Sequence, residues 1–372
     1  MKVYYIKDES INENILRMFL KDDVCMERLH PEEIEMMEEG AVLVISDQRK
    51  ENFQKDASVI VWEELFLHLY KYVRELYLKN FDYYYLCCNM EKAKRTDITN
   101  LIIGSSYARF GMKEAFFNEK TVNLSLASQD FYYAVKIADE ILETNRNVRN
   151  IIIGCGYYSF NSDLSRTKSN ELNRISNVYY PIFHDMHHAV VLPPATSKMK
   201  SELLDMERIE QIISKDLLGQ RGEAYFLNAD MQENAKLCTW ERTSACWRDL
   251  TEEEKYKGAM QRTATHNKIR NRETTFQENQ KILQAFIKRC NECKIEVWVV
   301  VLPFTKAYLQ QLDQAVYRQF IEGLDQIDGM FHSIDFNETD LFTDDDFIDS
   351  DHLAESGAYK VSVLMEEILE RK

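Results

Sequence analysis

Leu101-Ile-Ile-Gly-Ser-Ser-Tyr-Ala108 is the stretch on which the fold of this chain turns. Three apolar residues run into a glycine, and a serine pair then opens a segment of helix-forming composition. That order reads as a buried strand ending in a tight turn before a helix. A serine at such a junction stands clear of the sheet edge, with its own N–H turned into the cleft. Outward from it, Asn100–Ile103, Thr121–Leu124 and Asn150–Ile153 read as short strands. The helix between them spans Gln129 to Leu142, with Val135, Ala138 and Leu142 at helical spacing and Ser128 as its predicted N-cap. Farther on, Phe276, Ile282, Leu283, Phe286 and Ile287 mark a helix that feeds the strand Glu296–Leu302, stopped by Pro303. Phe331–Phe336 is the next strand, and Val361–Leu369 the last helix. Short, nearly continuous apolar strands alternating with helices predict a three-layer α/β fold, a parallel sheet covered on both faces. In such sheets sites form at the carboxyl ends of the strands.

The first 95 or so residues read as a small α/β domain of their own. Val3–Ile6 and Ala41–Ser46 are its strands, and Asn12–Leu20 is a helix with Ile15, Leu16 and Phe19 on one side. Pro31 suits a helix start, and a long helical pattern through Leu65, Leu69, Val73 and Leu76 runs from Trp62 to Ala93. No glycine-rich phosphate loop follows these strands, which predicts a lid or packing role. The expected division is therefore 1–95 and 96–372. Within the second part, residues 160–272 have weak periodicity and carry Pro193-Pro194, Trp240 and Trp247. They read as an insertion over one face of the sheet, suited to setting substrate choice.

Bulk properties narrow the function. The 372 residues carry a formal net charge of -16, which repels a phosphate backbone, so nucleic acid is not an expected partner. No run approaches the ~18 apolar residues that span a bilayer, and the N-terminus lacks a signal-peptide pattern; a cytoplasmic location is expected. Eight cysteines in a chain of this length are no disulfide scaffold. Cys290 and Cys293 form a single CxxC with no second pair to complete a zinc site.

Serine is a poor nucleophile unless a base, itself oriented by a carboxylate, takes its proton. Asp349-Ser-Asp-His352, just ahead of the last helix, supplies both groups in one segment. Its other aspartates, Asp344, Asp345, Asp346 and Asp351, are expected to be solvated. Gly104-Ser105-Ser106 and Asp349-x-x-His352 together resemble the first and last signature blocks of the SGNH (GDSL-like) hydrolase superfamily. The Gly-Ser-Ser form is similar to its DltD-like branch, which handles acyl groups of bacterial cell-envelope polymers. The resemblance covers residues 97–160 and 274–372. It implies a flavodoxin-like sheet, Ser106 as nucleophile following Gly104, His352 as proton shuttle and Asp349 as its orienting carboxylate. It also implies an oxyanion hole from the N–H groups of Ser106 and Ser128, with Ser128 or Ser125 standing where the family's second block has glycine. The family's third block supplies an asparagine amide. Here Gly154-Cys-Gly156-Tyr157 lacks it, and Asn161 is the substitute within reach along the chain. The implied activity is hydrolysis or transfer of an O-acyl ester on a small molecule or glycan, with no cofactor.

Two other groups could act. His184, Asp185, His187 and His188 have metal-ligand character, so a metal-dependent enzyme built on the His184/His188 cluster remains an alternative, as does a non-catalytic binding module. Arg262, Lys268, Arg270 and Arg272 form a basic cluster around His266, and Arg270 and Arg272 are candidates to hold an anionic substrate group.

Overall fold

A computed structural model of the chain describes residues 2–13, 16–17, 20, 24–53, 59–66, 81–118, 120–168, 170–190 and 246–371. The readings at Ile15, Phe19, Leu69, Val73, Leu76, Pro193, Pro194 and Trp240 lie outside the described residues. The described residues before Leu86 belong to one compact unit, and those from Leu86 onward to a second.

The first unit holds a four-stranded parallel sheet. Its strands are β1 (Lys2–Tyr5), β2 (Cys25–Arg28), β3 (Val42–Ile45) and β4 (Val59–Val61), in the order β2-β1-β3-β4. Tyr4, Ile6, Leu29, Ala41, Leu43 and Ile45 form its core. Helix α1 (Phe81–Ala93) begins in this unit's residues and ends in the next.

The second unit is built on five parallel strands: β5 (Asn100–Gly104), β6 (Thr121–Asn123), β7 (Asn150–Cys155), β8 (Glu296–Val301) and β9 (His332–Asp335). Their order is β6-β5-β7-β8-β9, so the chain starts in the interior of the sheet, moves one way, then returns past its starting point. Among its described residues, besides the short helix Tyr180–Phe183, the helices are α2 (Ser106–Gly111), α3 (Phe131–Thr144), α4 (Glu252–Lys268), α5 (Glu273–Glu292), α6 (Lys306–Gln311), α7 (Gln314–Asp325) and α8 (Glu355–Glu370). Right-handed crossovers place the helix after β5 and the helix after β6 on opposite faces. Accordingly α2 packs with α8, and α3 with α5. Both faces of the sheet are thus covered, which is why β5, β7 and β8 are runs of buried aliphatic residues. Each such side chain contributes about 1.5–3 kcal/mol on leaving water.

The chain reverses direction between β5 and β7, and the two helices that follow β5 and β6 diverge there. That leaves a crevice beyond the carboxyl ends of these strands. Among the described residues no helix is long and apolar enough to cross a membrane.

Candidate active site

The site starts from β5. Gly104 ends the strand at φ +138°, a backbone region closed to most L-residues, and it pairs in register with Gly154 of β7. A Cβ on Gly104 would sit 2.1 Å from the Gly154 carbonyl oxygen. Only glycine lets the chain turn here. Ser105 is the N-cap of α2, accepting a hydrogen bond from the Tyr107 N–H at 3.4 Å. Ser106, the first helical residue, is thereby aimed away from the sheet.

Ser106 Oγ lies 2.8 Å from His352 Nε2. On the other side of the ring, His352 Nδ1 lies 2.9 Å from Asp349 Oδ2 and 3.1 Å from Oδ1. With Nδ1–H donating to the carboxylate, Nε2 is left to accept the serine proton, which is the tautomer a general base requires. The Asp349 carboxylate is held in turn by the backbone N–H groups of Asp351 and His352, at 2.9 and 2.8 Å. His352 is 2% exposed. Its ring stacks on Tyr107 and meets the edge of Phe110, both from α2, so the helix that carries the serine also shapes the slot for the imidazole.

Burial works against a charged imidazole at His352, but the Asp351 and Asp349 carboxylates outweigh it and raise its pKa above the ordinary histidine value. Burial likewise works to raise Asp349, while the neighbouring His352 and the two backbone N–H groups hold its pKa below the usual carboxylate range.

Asp351 was expected in water and is buried instead, at 2% exposure. Its Oδ2 accepts the Tyr107 hydroxyl at 2.8 Å and Arg262 Nε at 2.7 Å, while Oδ1 lies 3.8 Å from His352 Nδ1. Asp346 is buried too, paired with Lys360 at 2.6 Å; Asp344 and Asp345 are exposed as expected. The reason is charge compensation: each buried carboxylate has a cation on it. Arg262 comes from α4, which presents His266 one turn later. His266 stacks on Tyr158 and bonds to the Tyr308 hydroxyl at 2.5 Å. Burial, then the Arg262 charge, push its pKa down to about 3, so it is neutral.

Gly104, Ser105, Ser128, Gln129, Asp130 and Tyr158 line a small cleft beside the serine. Ser128 is not the N-cap of α3; Asp130 is, accepting the Tyr133 N–H at 3.0 Å. Ser128 adopts the left-handed conformation, φ 58°, that glycine prefers. Asn161 is buried, but it donates to the Arg270 carbonyl at 3.2 Å and does not line the cleft. Arg270 pairs with Asp313, and Arg272 caps the start of α5 through its backbone. The structure therefore brings together Ser106, His352 and Asp349, with Gly104 and Ser128 on the cleft beside them, while Asn161, Arg270 and Arg272 lie at the α4–α5 turn and are not among the cleft-lining residues.

The sequence marks Gln129 only as a helix start. Its Oε1 accepts the Tyr179 hydroxyl at 3.1 Å, while its Nε2 is buried with no hydrogen-bond partner among the described residues. A glutamine at a predicted helix start gives no signal of this kind.

An α/β protein with a buried serine–histidine–aspartate relay at the crevice of a parallel sheet is what fold and geometry define. No family model and no curated protein matches the chain. Among solved structures it is similar to a chain described as "a putative platelet activating factor from Streptococcus pneumonia", at 10% identity and a TM-score of 0.35. The alignment spans 76% of this chain and 91% of that one. A likeness this slight says nothing of activity.

Proposed function

We propose that the chain is a serine-dependent O-acyl ester hydrolase or acyltransferase of SGNH type, acting on a small-molecule or glycan acyl ester. The observation that carries this is the relay itself: serine, imidazole and carboxylate joined at 2.8 and 2.9 Å around a histidine that is almost wholly buried. Ser106 Oγ attacks the ester carbonyl as His352 Nε2 takes its proton. The imidazolium is stabilised by Asp349 and, at longer range, by Asp351. The oxyanion is received by the N–H groups of Ser106 and Ser128. The amide that Asn161 does not bring is supplied by Gln129 Nε2, a donor whose burial without an acceptor is costly until substrate arrives. His352 then protonates the departing alcohol. Water or a second hydroxyl, activated by the same imidazole, releases the acyl group from Ser106.

A fluorophosphonate probe tests the reading. It is expected to label Ser106 in the wild-type chain and to leave Ser106→Ala unlabelled. Ser106→Ala should also reduce p-nitrophenyl acetate turnover to below about a tenth of wild type. A wild-type protein that takes no label sinks the proposal and favours a binding module.

A further inference from the structure

The histidine-rich segment left over by this chemistry forms a second cluster in the same unit. Three residues meet there: Asp163, at 2% exposure, His187 and His188. The two imidazoles lie side by side, with ring centroids 3.8 Å apart and planes tilted by 33°. Both turn the same edge to the same partner. His187 Nδ1 lies 3.7 Å from Asp163 Oδ1, and His188 Nδ1 lies 3.1 Å from Asp163 Oδ2. Both also turn the opposite edge to one carboxylate of α5, with each Nε2 at 3.3 Å from Glu278 Oε1.

Nitrogen and oxygen ligands about 2.0–2.1 Å from a tetrahedral ion stand roughly 3.3 Å apart, and the two Nδ1–carboxylate separations bracket that figure. A ligating histidine commonly donates its other ring N–H to a carboxylate, which fixes its tautomer and strengthens it as a ligand. Glu278 is placed to do this for both rings at once. From these facts the geometry points to a binding site for a divalent transition ion such as Zn2+, held by Asp163, His187 Nδ1 and His188 Nδ1, with Glu278 orienting the two rings.

Supporting contacts agree. His187 is pinned from behind by stacking on Tyr132, 3.7 Å between centroids and nearly parallel. Its backbone is left-handed, φ 53°, with its N–H bonded to Asp185 Oδ1 at 2.8 Å. Ser165 Oγ, 3.3 Å from His187 Nδ1, is an oxygen at hand for the fourth position. His184 takes no part; its ring meets Tyr180. The competing cation is Arg166, whose Nε sits 2.8 Å from Asp163 Oδ2 and 3.3 Å from His188 Nδ1. Its side chain is 41% exposed, so it can swing into water as the ion enters. The neighbouring Leu164 N–H bonds to Asp130 in the cleft wall, so an ion here would clasp that wall to α5.

The test uses the full chain, stripped with EDTA and titrated with ZnCl2 by calorimetry, with Co2+ absorption as a second probe. One ion per chain is expected, with the melting temperature raised by about 5 °C at a hundredfold excess over Kd. His188→Gln should weaken binding at least about 100-fold, and Glu278→Gln about 10- to 100-fold. Arg166→Ala should bind as tightly or more tightly, and His352→Gln should bind as wild type does. No ion bound, unchanged binding in His188→Gln, or loss of binding in His352→Gln would overturn the assignment. Should His188→Gln fail to fold, Arg166→Ala decides, since weaker binding there would contradict the site. None of these readouts depends on Ser106.

Discussion

Asp351→Asn separates the work of the two carboxylates beside His352. Asp349 accepts the Nδ1–H directly, whereas Asp351 acts across 3.8 Å while engaged by Tyr107 and Arg262. At an effective dielectric of about 20, unit charges at that separation interact by about 4 kcal/mol, or about 3 pH units. The Arg262 guanidinium, 2.7 Å from the same carboxylate, offsets part of this, so the midpoint should fall by about 1 unit or more on substitution. The sign is fixed by the balance at His352: burial lowers its pKa, the two carboxylates raise it, and removing one leaves burial and Arg262 to pull it down. The assay is kcat/KM for p-nitrophenyl acetate from pH 5 to 10, which reports groups on the free enzyme. Wild type should rise toward alkaline pH with a midpoint above about 6.5. The variant should reach its plateau at lower pH, with a plateau rate within about tenfold of wild type. Asp349→Asn, by contrast, should lose about 10,000-fold at every pH. Because Asp351 is buried, added salt should barely move the wild-type midpoint. An Asp351→Asn midpoint equal to or above that of wild type would refute this account of His352, and so would a plateau as low as that of Asp349→Asn.

Gln129→Met should lower kcat about 100-fold with little change in melting temperature, as expected of a lost oxyanion donor; an unchanged kcat would remove Gln129 from the mechanism. Gly104→Ala sets a Cβ 2.1 Å from a carbonyl at φ +138°, so urea unfolding should show a loss of about 3 kcal/mol or more, and a wild-type midpoint would contradict the packing of β5 on β7. His352 has a raised pKa in the folded chain, so its protonated form adds stability fully present below about 6.5 and lost as pH rises through the folded value. His352→Gln should therefore depress the melting temperature more at pH 6 than at pH 9, and an equal or reversed effect would place the imidazole in another environment.

The serine turn and the closing Asp-x-x-His were legible because each is held by short-range rules. A glycine that must turn follows an aliphatic strand, and a carboxylate and imidazole three residues apart face each other within one loop. The strands β5, β7 and β8 were legible for the same reason, being unbroken runs of apolar residues. The edge strand β2, Cys-Met-Glu-Arg, was not, since it is largely exposed and has no apolar pattern to betray it. Asp351 was misread for a different reason. Its burial depends on Arg262, 89 residues away, and on Tyr107, 244 residues away. An acidic run carries no mark of a distant guanidinium. Ser128 looked like a helix cap until Asp130, two residues on, took the role and left it in a left-handed turn.

The contact between Ser106 and His352 joins residues 246 positions apart. During synthesis at about 5–20 residues per second, the serine emerges some 12–50 seconds before the imidazole that faces it. Strand β5 and its turn can be complete in that interval while the hydroxyl is no more reactive than any other alcohol. The alignment of serine, imidazole and carboxylate is therefore completed only after the segment that carries Asp349 and His352 has been made.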